Sequence, residues 1–505
     1  MRRASAILFL IKLLKIPVSL YSYSLMATLF GVSLAKDQWL LAYSLIIIID
    51  LAIWGPLNET FRVKFITVKE QMGQKTALQQ TQSLLYFIFL FSIAVVAFVM
   101  LKPDIVSSLL VSDYSEGQRE GLNHMIRIVA PILLINQATL IGISILNAYD
   151  IFYIPEIATF ASQLCGIFIM LFTAQQLGIY SLVLSTMLGL VILLTLVIIK
   201  IKHKKIDLFG SFSPRFGDFK QYFIFALPLF VPYCIGQFNA LVEKRLVTGQ
   251  GVGSVSIIDF SKKFPDMVNA IFSSVLLTIL IPVLARAFVK KDEQAYTKNF
   301  VQVFSLGILG LGFFAIYMFL ASQDLMCFFY GNSDITPDNM IKIIDLNVLY
   351  SVALIAIFIY LIFSMGLLAI GKNRTSAFAS TVTQVLVILS NIFFVNRFGV
   401  IIFPISVFIA HILGGIYMLC YYPYSTKAIS ISFVKNTVML FVVLFFMTLI
   451  MRGINAYLPS GTVHLFRLTV IGVVQLVLFI LIGYLVRLEE ITSSIVLIKR
   501  KLGRS

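Results

Sequence analysis

The stretch SLVLSTMLGLVILLTLVIIKIKHKK, Ser181–Lys205, carries the two signals that decide the fold. Its apolar part is about 20 residues long, the length at which an α-helix crosses roughly 30 Å of hydrocarbon. Lysines then follow in quick succession at positions 200, 202, 204 and 205. An apolar run that ends in a group of cations is typical of a transmembrane helix whose end reaches the cytoplasm.

Similar apolar runs recur along the whole chain. Of its 505 residues, 59% are hydrophobic and 12% charged, with a mean hydropathy of +0.97, whereas about a quarter of a soluble domain is charged. The runs are also too long for the alternating segments of about ten residues that form a β-barrel. We therefore predict an all-α polytopic membrane protein with 14 transmembrane helices. The predicted spans are 8–31, 39–56, 82–101, 126–149, 152–174, 177–199, 221–247, 255–285, 300–321, 341–370, 376–396, 399–422, 434–451 and 465–486.

The formal net charge of +16 lies mostly in alternate loops between the spans. This distribution follows the positive-inside rule, so it predicts that both termini are cytoplasmic and argues against a nucleic-acid partner. The first apolar run is interrupted by lysines, so we expect a retained helix and not a signal peptide. The loop cations are Arg2 and Arg3; Arg62, Lys64, Lys69 and Lys75; Lys200, Lys202, Lys204, Lys205 and Arg215; Arg286, Lys290, Lys291 and Lys298; and Lys499, Arg500, Lys501 and Arg504.

The sequence contains no recognisable catalytic apparatus. Walker A, GxSxG and HExxH motifs are missing from it, and its loops are too short for an ATPase domain. The four cysteines and four histidines are widely dispersed, so we expect neither a metal site nor a cofactor. Transport, and not enzymatic catalysis, is the predicted activity.

An internal repeat appears when the sequence is shifted against itself by 221 positions. The shift places LNAYDIF, from Leu146, over LLAIGKN, from Leu367. It also aligns Gln163 with Gln384 and Gly178 with Gly399. Because six spans separate the copies, the repeat predicts two parallel six-helix halves. We expect an N-terminal lobe over 1–205, a C-terminal lobe over 206–425, and two further helices with a basic tail over 426–505.

Several charged residues fall within or at the ends of predicted spans, where insertion costs about 2.5 to 3.5 kcal/mol each. We predict that they surround a polar cavity between the halves. For Lys12 the alternative is snorkelling to the headgroups, and for Glu243 to Arg245 it is a solvated helix end. Asp259 is spaced to pair with a lysine one turn later. The cavity candidates are Lys15, Asp37, Asp50, Arg62, Glu243, Lys244, Arg245, Asp259, Lys262 and Lys263.

Three prolines within these helices predict bends. Proline cannot donate to the helical hydrogen-bond ladder, so Pro17, Pro232 and Pro265 each release a carbonyl group in the preceding turn. In a membrane such a carbonyl needs a polar partner or water, which supports a hydrated interior.

Three segments then indicate a family. LFGVSLAKDQWLLAY (Leu29–Tyr43), ILNAYDIFYIPEIA (Ile145–Ala158) and FPDMVNAIFSSVLLTILIPVLARAF (Phe264–Phe288) occur in the order and at the spans of motifs in the MurJ/MviN-type lipid II flippases of the MOP exporter superfamily. The chain resembles that family over its repeated part, and fourteen spans are what the family has.

The resemblance implies a two-lobed, V-shaped bundle that moves a polyprenyl-pyrophosphate-linked sugar across the bacterial cytoplasmic membrane by alternating access. The last two helices would hold the lipid tail, and arginines in the family's first, second and eighth helices would hold the phosphates. Here those arginines fall at Ile16, Ser22, Asp50 and Phe260, and a glutamate of the family falls at Lys263, whereas Asp37 is retained. Lys15, Lys262 and Lys263 can replace the lost charge, although as point charges.

These departures leave two alternatives open. One is a flippase for an O-antigen, capsule or exopolysaccharide repeat unit, similar to Wzx proteins. The other is a cation-coupled multidrug exporter with Asp50 as its buried carboxylate, although the sequence identifies no coupling ion. In each flippase reading the partners are a lipid-linked oligosaccharide and membrane lipids.

Overall fold

The computed structural model describes residues 2–111, 114–149, 151–206, 208, 214–275, 280–422, 426–457 and 464–485. Within these ranges the side chains of 2–13, 274–275, 281–282, 426–428, 452 and 454–457 are not described. The predicted basic tail from Lys499 onward, with the side chains of Arg2, Arg3 and Lys12, therefore lies outside the described residues.

The described chain is helical, without β-strands in these ranges, and divides into two compact units, Met1–Ser256 and Ile257–Ser505. The helices of the first unit are α1 (Arg2–Phe30), α2 (Leu34–Met72), α3 (Gln74–Leu101), α4 (Pro103–Ser107), α5 (Glu116–Val129), α6 (Ile132–Ala148), α7 (Tyr153–Leu177), α8 (Tyr180–His203), α9 (Phe216–Ala226) and α10 (Phe230–Thr248). Helix α11 (Ser254–Val275) begins in the first unit and continues into the second. The others are α12 (Ile281–Val289), α13 (Glu293–Tyr330), α14 (Pro337–Ala369), α15 (Asn373–Phe398), α16 (Ile402–Cys420), α17 (Thr426–Tyr457) and α18 (His464–Leu485).

The helices carry the predicted membrane spans. Among the described residues, eleven helical segments are long and apolar enough to cross a membrane, and one of them, Asn373–Cys420, contains both α15 and α16. Helix α1 and the pair α11 and α12 cover the two remaining predicted spans, apart from residues 276–279, which lie outside the described part. The prediction of a 14-span all-α membrane protein is confirmed. Helices satisfy their own backbone groups, which is what hydrocarbon requires.

In the first unit, α2 is the central helix and packs against α3, α5, α6, α9 and α10. Its buried face contributes Trp54, Leu57, Phe61 and Phe65 to the hydrophobic core. Helix α10 approaches closely at Gly55, where an added Cβ would lie 2.4 Å from a ring carbon of Tyr233. A side chain at position 55 would therefore displace the Tyr233 ring.

In the second unit, α13 and α14 pack against each other, and α16, α17 and α18 pack around them. The core is aromatic and includes Phe300, Phe304, Phe358 and Phe363. Gly307 lies beneath the ring of Phe358, whose nearest atom would be 1.9 Å from an added Cβ. Both units thus have a long central helix that is buried by its neighbours.

The 221-residue repeat is confirmed at the level of helix ends. Helix α6 ends at Ala148 and α14 at Ala369, and the hydrogen bond from Ile151 N to Leu146 O recurs from Lys372 N to Leu367 O, both at 2.9 Å. Helices α7 and α15 end before Gly178 and Gly399, with φ of 53° and 59°. The division of the chain at 205 and 425 rests on this repeat and stays a prediction.

Candidate functional site

Asp37 lies in the first turn of α2 and is 1% exposed. Its carboxylate accepts hydrogen bonds from Gly253 N at 2.6 Å, Ser256 N at 2.8 Å and Ser256 Oγ at 2.5 Å. Because α11 begins at Ser254, these backbone donors are among those that a helix leaves without internal partners at its N-terminus. Asp37 therefore caps α11 from a distant part of the chain, and its negative charge suits the positive end of the helix dipole.

The connection between α10 and α11 is shaped to present those donors. Gly253 has φ of 89°, and a Cβ there would lie 2.4 Å from Val32 Cγ1, so only glycine fits. Upstream, Thr248 Oγ1 donates to Leu110 O at 2.9 Å and Arg245 Nη1 donates to Ser108 O at 3.4 Å. The predicted cavity residue Arg245 is thus exposed, and its guanidinium group donates a hydrogen bond to a backbone carbonyl. The neighbouring Glu243 and Lys244 are half-buried on the same turn of α10.

Asp50 lies inside α2 and is also 1% exposed. Asn136 Nδ2 donates to one carboxylate oxygen at 2.6 Å, and Gln137 Nε2 donates to the other at 2.5 Å. A buried carboxylate is costly unless donors surround it, and α6 supplies both of them. Sequence reasoning missed these partners, although two adjacent amides in the apolar run ILLINQATLI were the available signal.

Lys15 joins α1 to α7. Its Nζ lies 2.5 Å from Glu156 Oε2 and also donates to Thr159 Oγ1. One turn further along both helices, Gln163 Nε2 donates to Ser19 Oγ at 3.0 Å. The charge of Lys15 is therefore balanced by Glu156, which sequence reasoning did not single out. Arg62, the remaining cavity candidate of the first unit, is exposed and lies over the ring of Phe152, 5.4 Å from its centroid.

In the second unit, α11 places its two lysines beside different partners. Lys263 Nζ lies 2.7 Å from Asp259 Oδ1, so the predicted pairing of Asp259 with a lysine one turn later is confirmed. Lys262 Nζ lies 4.9 Å from the centroid of the Tyr350 ring on α14, within the range of a cation–π interaction. Both lysines are half-buried.

Asn347 supplies the hydrogen bond that Pro265 cannot make within α11. Proline at 265 has no N–H to donate to Ser261 O four residues earlier. Asn347 Nδ2 of α14 donates to that carbonyl at 2.9 Å, and Ser322 Oγ of α13 donates to Asn347 Oδ1 at 3.2 Å. The expectation that the released carbonyl needs a polar partner is confirmed, and the partner is a side chain of the protein.

The three predicted bends stay predictions. The chain remains α-helical through Pro17 in α1 and Pro265 in α11. Pro232 lies in the first turn of α10, directly after a 3₁₀ turn at Leu227–Leu229 that separates α10 from α9.

A further polar cluster joins α18 to α13. Asp324 is 6% exposed, and its carboxylate oxygens lie 2.9 Å from His464 Nδ1 and 3.2 Å from Arg467 Nε. Below it, Gln475 Nε2 donates to Phe313 O at 2.7 Å. The sequence repeat does not include α18, and these contacts explain how α18 is attached to the second unit.

Long apolar helices, a six-helix repeat and charged side chains held by polar partners within the spans together define a multi-pass membrane protein of transporter architecture. Its fold is that of the solved lipid II flippase MurJ in an inward closed conformation, with a TM-score of 0.78, 18% identity and coverage of 96% of this chain and 98% of that one. An inward-facing multidrug resistance MATE transporter of the MOP superfamily shares the fold at a TM-score of 0.64 and 12% identity, over 83% of this chain and 95% of that one.

The family model for the lipid II flippase MurJ matches residues 26–472, and the chain belongs to this family. A lipid II flippase MurJ of Burkholderia cenocepacia is 22% identical over 61% of this chain and 60% of its own length. A probable lipid II flippase MurJ of Buchnera aphidicola is 24% identical over 57% of this chain and 56% of its own length. The chain thus aligns with about 60% of the length of these relatives, and the resemblance found in the sequence is confirmed.

Proposed function

We propose that this protein is a flippase that moves a polyprenyl-pyrophosphate-linked sugar of the lipid II type across the bacterial cytoplasmic membrane by alternating access. Membership of the MurJ family over residues 26–472 supports this function, as do the names of the relatives. The structural observation that carries the proposal is the capping of α11 by Asp37, since α11 is the helix with Lys262 and Lys263. A few hydrogen bonds of this kind can break and re-form as a transporter changes conformation.

Lys262 and Lys263 are the proposed pyrophosphate ligands. Among the side chains that the structure describes in the first unit, Lys15 is balanced by the carboxylate of Glu156, and Asp50 adds an acidic group and not a cation. On α11 the two cations are adjacent and half-buried. Lys263 pairs with the carboxylate of Asp259, which a pyrophosphate of higher charge can displace.

The proposed location is the cytoplasmic membrane, with both termini on the cytoplasmic side and with membrane lipids and the lipid-linked oligosaccharide as partners. The alternate distribution of loop cations supports this orientation. With this proposed orientation, Asp37 and the start of α11 lie at the extracytoplasmic end of the first unit.

Complementation tests the function. In cells depleted of their own lipid II flippase, we expect this chain to restore growth and Lys262→Ala with Lys263→Ala to abolish rescue at an unchanged protein level. The matched control is Lys290→Ala with Lys298→Ala, which removes the same charge from exposed positions and should rescue fully. Full rescue by the Lys262 and Lys263 double variant would exclude the proposed phosphate ligands.

Two other functions are distinguished by further assays. Rescue of a strain that lacks its O-antigen or capsule flippase, without rescue of lipid II transport, would assign a different lipid-linked glycan. A cation-coupled exporter is favoured by one observation, the carboxylate of Asp50 buried among amide groups. Dye efflux that depends on an ion gradient and is lost in Asp50→Asn would support the exporter.

A further inference from the structure

A groove opens on the first unit where α7 begins and α8 ends. Its volume is about 270 Å³. Ile154, Ile157 and Ala158 of α7 and Leu196 and Ile199 of α8 line it, and Ile157 and Ile199 are 41% and 57% exposed. Because both helices are predicted spans, we expect this apolar surface to face the acyl chains of the membrane.

The rim of the groove is basic. Lys200 and His203 complete the lining, and Lys204 and Lys205 are exposed on the same chain segment. The nearest carboxylate in the first turn of α7 belongs to Glu156, which lies 2.5 Å from Lys15 Nζ and is therefore balanced. The groove thus combines an apolar interior with a positively charged mouth.

Aromatic rings lie at the same level. The turn between α6 and α7 presents Tyr149, Phe152 and Tyr153, and each ring is covered by a cation. The three pairs are Lys69 with Tyr149 at 4.4 Å, Arg62 with Phe152 at 5.4 Å and Lys200 with Tyr153 at 5.8 Å from ring centroid to cation. Aromatic side chains and cations together mark the headgroup level of a membrane.

We propose that this groove binds an anionic phospholipid of the cytoplasmic leaflet, with an acyl chain between α7 and α8 and its phosphate at Lys200 and His203. Basic pockets between transmembrane helices on the cytoplasmic side suit anionic headgroups. A zwitterionic lipid fits the apolar groove equally but gains less from the rim. The assignment of the leaflet rests on the proposed orientation, whereas the binding itself does not depend on orientation or transport.

The test is native mass spectrometry of the full-length protein in detergent, titrated with phosphatidylglycerol or phosphatidylcholine. Lys200→Gln should weaken phosphatidylglycerol binding about fivefold, the loss expected for one cation near a lipid headgroup. Lys200→Arg should retain the binding. The matched control is Lys202→Gln, two residues away on another face of α8, which should bind as the wild type does. Ile199→Ser removes apolar surface from an exposed position of the groove wall and should weaken both lipids.

Four results would overturn the proposal. They are equal losses in Lys200→Gln and Lys202→Gln, an unchanged affinity in Lys200→Gln, equal binding of the two lipids, and tighter binding of undecaprenyl pyrophosphate that displaces phosphatidylglycerol. The last would assign the groove to the transported substrate. Inorganic phosphate at millimolar concentration should leave phosphatidylglycerol bound. Complete displacement of the lipid would be a fifth result against the proposal, since it would indicate a site for free phosphate. Because transport is not measured, these results are independent of the complementation assay.

Discussion

At the scale of single residues, several polar groups within the spans of this protein are held by polar partners on other helices. Asp50 meets two amides, Lys15 meets a carboxylate and a hydroxyl, and the carbonyl of Ser261 meets Asn347. In hydrocarbon no water replaces a lost partner, so each match matters more than it would on a wet surface. Individual substitutions should therefore have effects that depend on the partner.

The contact between Asn347 and Ser261 should depend on Pro265. Asn347→Leu leaves a buried carbonyl without its donor, and we expect a loss of about 1 to 3 kcal/mol in the free energy of unfolding. In a Pro265→Ala background the helix supplies its own N–H, so Asn347→Leu should cost at least about 1 kcal/mol less. Thermal or denaturant unfolding of the purified protein measures this cycle.

The control for that cycle is Asn436→Leu. Asn436 is buried and donates to Ser305 Oγ at 2.7 Å on another pair of helices. The loss of stability caused by Asn436→Leu should be the same with proline or alanine at position 265. Equal costs of Asn347→Leu in the two backgrounds would show that Asn347 does not serve the proline.

Asp37→Asn should loosen the start of α11. An amide in place of the carboxylate keeps one acceptor oxygen and turns an NH₂ group toward the backbone donors of Gly253 or Ser256. Loss of a charged hydrogen bond, worth about 1.5 to 3 kcal/mol, corresponds to amide exchange faster by about ten- to a hundredfold.

Hydrogen exchange with mass spectrometry over the segment 249–257 measures that effect. The control is Asp50→Asn, which lies in α2 as Asp37 does. This variant should leave the exchange of the segment 249–257 unchanged. Exchange that is equally slow in Asp37→Asn and the wild type would mean that the capping of α11 does not depend on Asp37.

At the scale of helices, one charged cluster contributes to the attachment of α18. Arg467→Met removes the guanidinium partner of the Asp324 carboxylate. Breaking a buried ion pair in this way lowers the free energy of unfolding by about 3 to 5 kcal/mol. We expect a lower Tm, with partial recovery when Asp324→Asn is added. Arg397→Met, at an exposed position, is the control and should change the Tm little. A Tm unchanged by Arg467→Met would contradict the role of the cluster.

The helices themselves were predictable from sequence because a membrane imposes their length. The predicted spans fall on helices, and the repeat register of 221 residues recurs in the helix ends at Ala148 and Ala369 and at Gly178 and Gly399. Each of these features is local, since it depends on a run of apolar residues or on a single turn. The ends of helices that continue past the apolar spans were harder to predict. Helix α2, for example, continues from Leu34 to Met72, well past its predicted apolar span.

The partners of the site residues were not predictable in the same way. Asp37, Asp50 and Lys262 stand out in sequence because charge is rare within apolar runs. Asn347, Tyr350 and Glu156 are single polar residues in other helices, and which of them meets which charge depends on packing between helices distant in sequence. A one-turn pairing such as Asp259 with Lys263 was predictable, because both residues lie on one helix face.

At the scale of the whole molecule, the proposed function is transport by exchange between two conformations, and membership of the MurJ family supports it. The account requires that Lys262 and Lys263 act on the substrate and that Asp37 acts on the conformation. Variants at these positions should then differ, because the first pair changes affinity for pyrophosphate, and Asp37 changes the balance between states.

The most direct measurement of this account is the exposure of lipid II on the outer face of cells that depend on this chain. A lipid II-degrading enzyme added from outside should cleave the lipid when the wild type is expressed after depletion of the host flippase. Cleavage should fall to the depleted level with Lys262→Ala and Lys263→Ala and persist with Lys290→Ala and Lys298→Ala. Lipid II that stays protected in cells expressing the wild-type chain would contradict the assignment of the protein as a lipid II flippase.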